Sequence, residues 1–254
     1  MRATSLQSGS NGNCVYVETD GVGLVFDAGI SGRQAELRLA ACGRDIRRAA
    51  ALIVSHDHAD HVRCAGIYQR KFGLPIHVTR KTLRAAAFYP LGRMHDVRPF
   101  QAGSTLRFGS VTVETIPTAH DGADGVAFVV DDGRRRLGIL TDLGHAFDGL
   151  DAIVRSLDAV LIESNYDPDM LAGGPYPRFL KERIRGPGGH LSNVEAAELL
   201  RAAAGKRMSW ACLAHLSEQN NDPDLALRTH RKIVGRRLPL HVASRYHATD
   251  VMEV

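Results

Sequence analysis

Apolar residues alternate with polar ones, or run unbroken between turn residues, in CVYVET (14–19), VGLVFDAG (22–29), ALIVS (51–55), VTVETIP (111–117), GVAFVV (125–130) and RLGILTD (136–142). Such segments predict β-strands, and the Asp132-Gly133 pair between the last two predicts a tight turn. Gly9, Gly12 and Asn13 predict a turn near the start of the chain. Helical spacing covers 32–42, 60–72 and 79–88, and later 176–184, 193–204 and 223–234. The runs DAVLIES (158–164) and MSWACLAH (208–215) predict further strands between those later helices. The stretch 168–190 is rich in Gly and Pro and reads as a long loop, a feature often functional in compact domains. The element order predicts an α/β (α+β) fold of two packed sheets with helices on their outer faces.

Composition narrows the class without naming it. The chain has 254 residues, 44% hydrophobic and 24% charged, which suits a globular domain, and one domain over 1–254 is expected. No apolar run approaches the roughly 20 residues that span a bilayer. The start, MRATSLQSGSNGNC, lacks the apolar core of a signal peptide, so a cytoplasmic location and no membrane partner are expected. Cys14, Cys42, Cys64 and Cys212 are scattered, with no CxxC pair to make a zinc ribbon or a thioredoxin-like motif. They read as reduced thiols. The net charge of +4 permits an anionic partner but does not by itself indicate one, and no segment points to a protein partner.

The 12 histidines carry the chemistry. The strand ALIVS runs straight into His56-Asp57-His58-Ala59-Asp60-His61, which mounts four ligand-type side chains where a rigid strand ends and a helix begins. Two histidines one residue apart can reach one metal from an extended loop, and an Asp-His pair at a helix start can reach a second. Mixed imidazole and carboxylate suit a transition metal, with Zn²⁺ and Mn²⁺ equally served. Outside this array, His145 lies three residues beyond Asp142 and Cys64 one helical turn beyond His61. For each, an ordinary surface or core position competes with a place beside the metals.

SHDHADH resembles the signature of the metallo-β-lactamase superfamily, and further motifs follow in order: Asp27 in VFDAG, His120 in PTAHD, Asp142 in LGILTD and His215 in CLAHLSEQNN. The resemblance implies a four-layer αββα sandwich with two divalent metal ions, Zn or Mn. His56, His58 and His120 would hold one metal, and Asp60, His61 and His215 the other. Asp142 would lie between the two, and Asp27 would orient a ligand histidine. Two cations lower the pKa of a shared water and stabilise developing oxyanions, which implies hydrolysis. Every one of these residues follows an apolar strand, as residues along one edge of a stacked pair of sheets must.

ESNYD (163–167), GHLSN (189–193) and HLSEQNND (215–222) narrow the branch. They are similar to the nucleolytic members, in which a Glu after a strand and a His before a helix act as a proton-relay couple beside the metals; Glu163 and His190 occupy the matching places. With Asp60, these are the residues to which the resemblance assigns catalysis. The whole set resembles the YycJ-like (WalJ-like) group, related to the transfer-RNA 3′-processing nucleases, and implies a 5′-to-3′ exonuclease on DNA. Residues between Asp142 and His215 are too few for the large cap domain of β-CASP nucleases. Arg178, Lys181 and Arg183 could track a nucleic-acid backbone, with Ser192 and Asn193 as further substrate contacts and Tyr176 and Phe179 as stacking surfaces. A solvated helix face explains the three cations equally well, and a helix cap explains Ser192 or Asn193. Two other readings use the same residues: hydrolysis of a small phosphodiester or thioester, which requires a deep narrow pocket, and a non-catalytic metal-binding regulatory protein. Polarity and the choice between DNA and RNA stay open at this stage.

Overall fold

The computed structural model describes residues 1–203 and 207–254. Their strands are β1 (Arg2–Gln7), β2 (Cys14–Thr19), β3 (Val22–Phe26), β4 (Ala49–Ile53), β5 (Ile76–Thr79), β6 (Val97–Phe100), β7 (Thr105–Phe108), β8 (Val111–Pro117), β9 (Val126–Asp131), β10 (Arg136–Leu140), β11 (Ala159–Glu163), β12 (Trp210–Ala214), β13 (Leu240–Val242) and β14 (Met252–Glu253). They form two seven-stranded mixed sheets, ordered β14-β1-β2-β3-β4-β5-β6 and β13-β12-β11-β10-β9-β8-β7. Within the first sheet β3 and β4 run parallel, and β2 runs against β3. Within the second, β10, β11 and β12 are parallel. β9 opposes both β10 and β8, so β8 shares their direction. The C-terminal ends of β3, β4, β8, β10, β11 and β12 therefore lie along one edge of the sandwich. So do the end of β1 and the start of β2.

Three apolar clusters divide the layers. Alternate residues of both sheets meet in the middle, where the Phe26 and Phe128 rings pack at a centroid distance of 5.0 Å. The intervening residues face outward, Tyr16, Val25 and Leu52 beneath helices on one side, and Val129, Val160 and Ile162 beneath helices on the other. This is the expected αββα sandwich. The sequence patterns follow from position in the sheet. β8 is antiparallel to both neighbours and has one face only partly covered, and its burial alternates; β11 and β12, central and covered on both faces, are buried throughout.

The helices are α1 (Gly32–Ala41), α2 (Ala59–Val62), α3 (Ala65–Phe72), α4 (Arg80–Ala85), α5 (Leu150–Arg155), α6 (Pro168–Gly173), α7 (Arg178–Arg185), α8 (Asn193–Ala203) and α9 (Pro223–Val234). Side-chain caps set several starts: Ser31 accepts from Gln34 N–H, and Asp222 accepts from two amides just past it with Pro223 in the first turn. The helix expected over 60–72 is broken between α2 and α3, where Cys64 N–H donates to Ala28 O and ties the loop to the turn after β3. The stretch 168–190 holds the helix expected over 176–184, as α7, and a second, α6, where only loop was expected. Its Asp167-Pro168 start is a cap, and its Pro177 immediately precedes α7. Of the helix expected over 193–204, position 204 lies outside the described residues. Among the described residues no helix is long and apolar enough to cross a membrane.

Because Phe128 is 1% exposed and touches the opposite sheet through Phe26, Phe128→Ala is expected to cost about 3–5 kcal/mol. A calorimetric Tm fall of roughly 6–20 °C checks this, and a smaller shift would mean that the two sheets close over the cavity.

Candidate metal centre

Three side chains reach the shared edge because the backbone turns left-handed as a strand ends: Asp27 (φ 62°) after β3, Asp142 (φ 55°) after β10 and His215 (φ 55°) after β12. A side-chain-bearing residue in this region costs on the order of 1–3 kcal/mol and persists only where the surroundings impose it. The His56–His61 loop is fixed from below by the β3 turn. Ala28 N–H donates to His61 O, and Asn13 N–H donates to Asp60 O at 2.7 Å. Gly29 must be glycine here, since a Cβ would stand 1.6 Å from Asp60 O.

Ligand-type atoms gather in two neighbouring groups, His56, His58 and His120 in one, and Asp60, His61 and His215 in the other. Asp142 lies close to both, 3.3 Å from His61, 3.4 Å from His215 and 3.7 Å from His120. Hydrogen bonds on the far side of the His120 and His61 rings set which nitrogen faces inward. His120 Nδ1–H donates to Gly189 O at 2.8 Å. His120 Nε2 and His58 Nδ1 face each other at 3.2 Å, and Asp121 Oδ1 stands between these rings, 3.3 Å from His58 Nε2 and 3.6 Å from His120 Nε2. His61 Nδ1–H donates to Asp27 Oδ2 at 2.7 Å, turning Nε2 toward Asp60 and Asp142. Asp27 also accepts from Ser55 N–H and Oγ–H, so it anchors the loop as well as the ring. Such outer partners fix the tautomer and orientation of a metal-binding imidazole.

These residues fit a divalent cation. His56 Nε2 and Asp142 Oδ2 are buried without a hydrogen-bond partner, and two imidazole nitrogens converge with lone pairs opposed. Burial and the neighbouring histidines hold His56 well below the usual imidazole range, so it is a neutral donor. Burial would also lower His61 and His215, but the carboxylates around them win. Asp142, Asp27 and Asp60 push His61 well up, and Asp142, Asp60 and Glu163 push His215 up to about 10. A cation at this position would meet the same negative field.

Next to this cluster, Glu163 has no solvent exposure and His190 Nδ1–H donates to its Oε1 at 2.6 Å. Glu163 Oε2 accepts from Leu143 N–H and Leu191 N–H, so the carboxylate joins three loops. Burial would raise it, but His190 and His215 hold it well below the usual carboxylate range. His190 itself forms part of the wall of a cleft of about 280 Å³ shared with His58, Asp60, His120 and Asp142. A larger cavity, about 1070 Å³ and lined by Arg2, Glu18, Arg44 and Glu253, is lined by none of these residues.

Ser192 and Asn193 do not fit the expected role of substrate contacts. Ser192 Oγ–H donates to Glu195, which donates back through its N–H, a capping box at the start of α8. Asn193 is 0% exposed and its amide is spent on Ser164 and Asn221. These belong to a buried amide network in which Asn221 Nδ2 donates to Ser164 O, Asn165 O and Asn193 Oδ1. Asn165 Nδ2 then donates to His215 O at 2.8 Å. The network explains why ESNYD, GHLSN and HLSEQNND occur together. Tyr176 and Arg183 line the cleft, Phe179 is exposed, Arg178 pairs with Glu182, and Lys181 Nζ donates to Ala172 O. His145 Nδ1–H donates to Pro187 O, and Cys64 is buried in the outer core.

Asn13 and Asp121 are site residues that no motif singled out for this place. Asn13 Nδ2 is 3.1 Å from Asp60 Oδ2 and 2.9 Å from His61 Nε2, and Asp121 Oδ1 is 3.3 Å from His58 Nε2 and 3.6 Å from His120 Nε2. The signal available was position alone, Asn13 at the start of β2 and Asp121 immediately after His120.

The fold and this edge of buried imidazoles and carboxylates define a family. Residues 23–215 match the β-lactamase superfamily domain, and the chain belongs to the metallo-β-lactamase superfamily as a metal-dependent hydrolase. Its relatives are more particular. Exodeoxyribonuclease YycJ of Bacillus anthracis is 33% identical over 223 residues, 87% of this chain and 84% of that protein. Exodeoxyribonuclease WalJ of Streptococcus pneumoniae serotype 2 is 35% identical over 229 residues, 88% of this chain and 84% of that protein. Among solved structures, the metallo-β-lactamase fold protein YhfI of Bacillus subtilis superposes with a TM-score of 0.75 at 17% identity over 98% of each chain. The short form of human tRNase Z gives 0.66 at 15% identity over 100% of both. At such identities the superpositions speak to the fold alone.

Asn221→Ala removes the donor to three buried acceptors and is expected to destabilise the protein by roughly 2–4 kcal/mol. Urea unfolding measures it; a change under about 0.5 kcal/mol would show the network to be dispensable.

Proposed function

We propose that the chain is a phosphodiesterase acting on nucleic acid, in the first instance a 5′-to-3′ exodeoxyribonuclease, with two divalent cations, Zn²⁺ or Mn²⁺. The observation that carries this reading is the Glu163–His190 pair, a fully buried carboxylate bonded to an imidazole in the wall of the cleft beside the metal-type cluster. Hydrolysis of a phosphodiester needs a proton for the departing sugar oxygen, and this couple is built to give one. The names of the two curated relatives support DNA as the polymer.

His56, His58 and His120 would hold one cation, Asp60, His61 and His215 the other, with Asp142 between them. Bound there, a cation pair supplies Lewis acidity toward phosphoryl oxygens and acidifies water. Glu163 accepts from His190 Nδ1–H, which fixes the ring; in its imidazolium form the ring gives its Nε2 proton to the departing 3′- or 5′-oxygen and is left neutral, to be reprotonated from solvent, a contribution of roughly 10²–10⁴ in rate. Asp60 lines the cleft and accepts from Asn13 Nδ2, which holds its carboxylate where it can take a proton from water.

The cleft supports an exonuclease over an endonuclease. Its volume, about 280 Å³, is at the small end of ligand sites and suits one terminal nucleotide rather than a passing duplex. The same dimension keeps a small phosphodiester as the second reading.

Cleavage of end-labelled single- and double-stranded DNA and RNA by protein stripped of metal and reloaded with Mn²⁺ or Zn²⁺ tests the proposal. Metal-dependent release of nucleotides from DNA, lost in Asp60→Ala, is expected. Turnover of a small aryl phosphodiester with every polymer left intact would select the second reading.

The roles separate by mutation. His190→Ala is expected to keep both metals and lose roughly 10²–10⁴ in turnover, whereas His58→Ala loses metal from one position. Metal content by plasma emission and turnover by nucleotide release check the pair. Unchanged turnover in His190→Ala would remove the relay from the mechanism.

A further inference from the structure

Asp121 touches two things that sequence reasoning kept apart. Its Oδ1 lies between the two rings, 3.3 Å from His58 Nε2 and 3.6 Å from His120 Nε2, and its Oδ2 accepts from Arg183 Nε at 2.7 Å. Arg183 belongs to α7, a helix without a single buried residue. A helix so exposed gains little from packing and is held chiefly by polar contacts.

Those contacts converge on one group of ligand-type residues. Asp121 N–H donates to Gly188 O at 3.1 Å, His120 Nδ1–H to Gly189 O at 2.8 Å, and His145 Nδ1–H to Pro187 O at 2.7 Å. Gly189 packs so closely under the end of α7 that a Cβ would stand 2.0 Å from Ile184 O. The strap 183–189 is thus fastened to His58 through Asp121 and to His120 directly. Leu180, Arg183 and Ile184 of the same segment line the cleft.

We propose that Asp121 is a positioning residue that couples one metal position to the cover of the cleft. Its Oδ1 stands against both His58 and His120, and its Oδ2 holds Arg183 of α7, which lines the cleft. This rests on His58 and His120 being ligands, as proposed above. Metal occupancy and the order of α7 then favour each other. Arg183, with its charge offset by Asp121, acts as a strut rather than as a free phosphate contact.

Full-length wild-type, Arg183→Met, Asp121→Asn and Asp121→Ala proteins, stripped and titrated with Mn²⁺ or Zn²⁺, provide the test without any nucleic acid. Metal affinity is read by competition with a chromophoric chelator, and the order of α7 by hydrogen exchange of a peptide covering 178–186. In wild type, metal is expected to slow exchange in α7. Arg183→Met keeps affinity within about 3-fold, since His58 retains Asp121, but loses the slowing. Asp121→Ala lowers affinity at one position by roughly 10–100-fold and loses the slowing too. Asp121→Asn separates the two functions: its amide oxygen still stands beside His58 and His120 and recovers most of the affinity, while its neutral side chain no longer holds Arg183. Wild-type affinity at both positions in Asp121→Ala, or metal-dependent slowing retained in Arg183→Met, would overturn the coupling and leave the metal site standing. Failure of the wild-type protein to bind metal at all would overturn the site and the coupling together.

Discussion

Glu163 and His61 have no solvent exposure, and Asp142, His56 and His215 have almost none, so a cluster of ionisable groups is largely withdrawn from water and meets it only along the cleft. An isolated buried charge costs several kcal/mol even after relaxation. Here each charge is met from more than one side: His61 by Asp27, Asp60 and Asp142, and Glu163 by His190 and two backbone amides. Compensation needs positions fixed to tenths of an ångström. The left-handed residues at Asp27, Asp142 and His215 supply that by turning side chains inward as their strands end. Their strain is sustained by a sandwich with one apolar cluster between its sheets and one beneath the helices on each side.

The direction of the strands decides why these groups meet at all. Residues from 27 to 215 converge because six strands end on the same side, a property of sheet topology rather than of any local sequence. A strand-end histidine or aspartate was therefore legible as a site residue from the apolar run before it, as with His120 after β8 and Asp142 after β10. The αββα layering was legible for the same reason, because alternation in β8 and unbroken apolarity in β11 report exposure on one face or none. The weakly patterned strands were not legible. β1 reads RATSLQ and β7 reads TLRF, and only their neighbours in the sheet make them strands. α6 was hidden because its proline and glycine residues lie at the helix start and end, where composition alone reads as loop, whereas α7 was legible from the helical spacing over 176–184.

Residues that act through others were legible least. Asn13 reads as a turn residue and Asp121 as the polar neighbour of a motif histidine, yet each lies against two functional side chains, Asp60 and His61 for the one, His58 and Arg183 for the other. Nothing in their local sequence encodes the distance in chain position that these contacts cross. The buried amides are a related case. ESN, LSN and NND recur as motifs, but their shared cause is that Ser164, Asn193 and Asn221 satisfy one another in the interior. Ser192 and Asn193 are motif residues by virtue of scaffolding, and the cleft wall there is His190.

The cleft itself has unequal sides. One is the sheet edge, rigid because strands, left-handed turns and buried charge determine it together. The other is α7, which buries no residue and depends on an ion pair and a few carbonyl groups. Local opening is drawn from the segments with the fewest buried contacts, so any motion that admits a chain end belongs to α7 rather than to the sheet edge. That side is fastened to His120 through Gly189 O and, through Asp121, to the space between His58 and His120, so it is tied to the candidate ligands. His190 belongs to both sides: its ring is bonded to Glu163 of β11 and its N–H donates to Ile184 O at the end of α7, so displacing the cover bears directly on the Glu163–His190 pair.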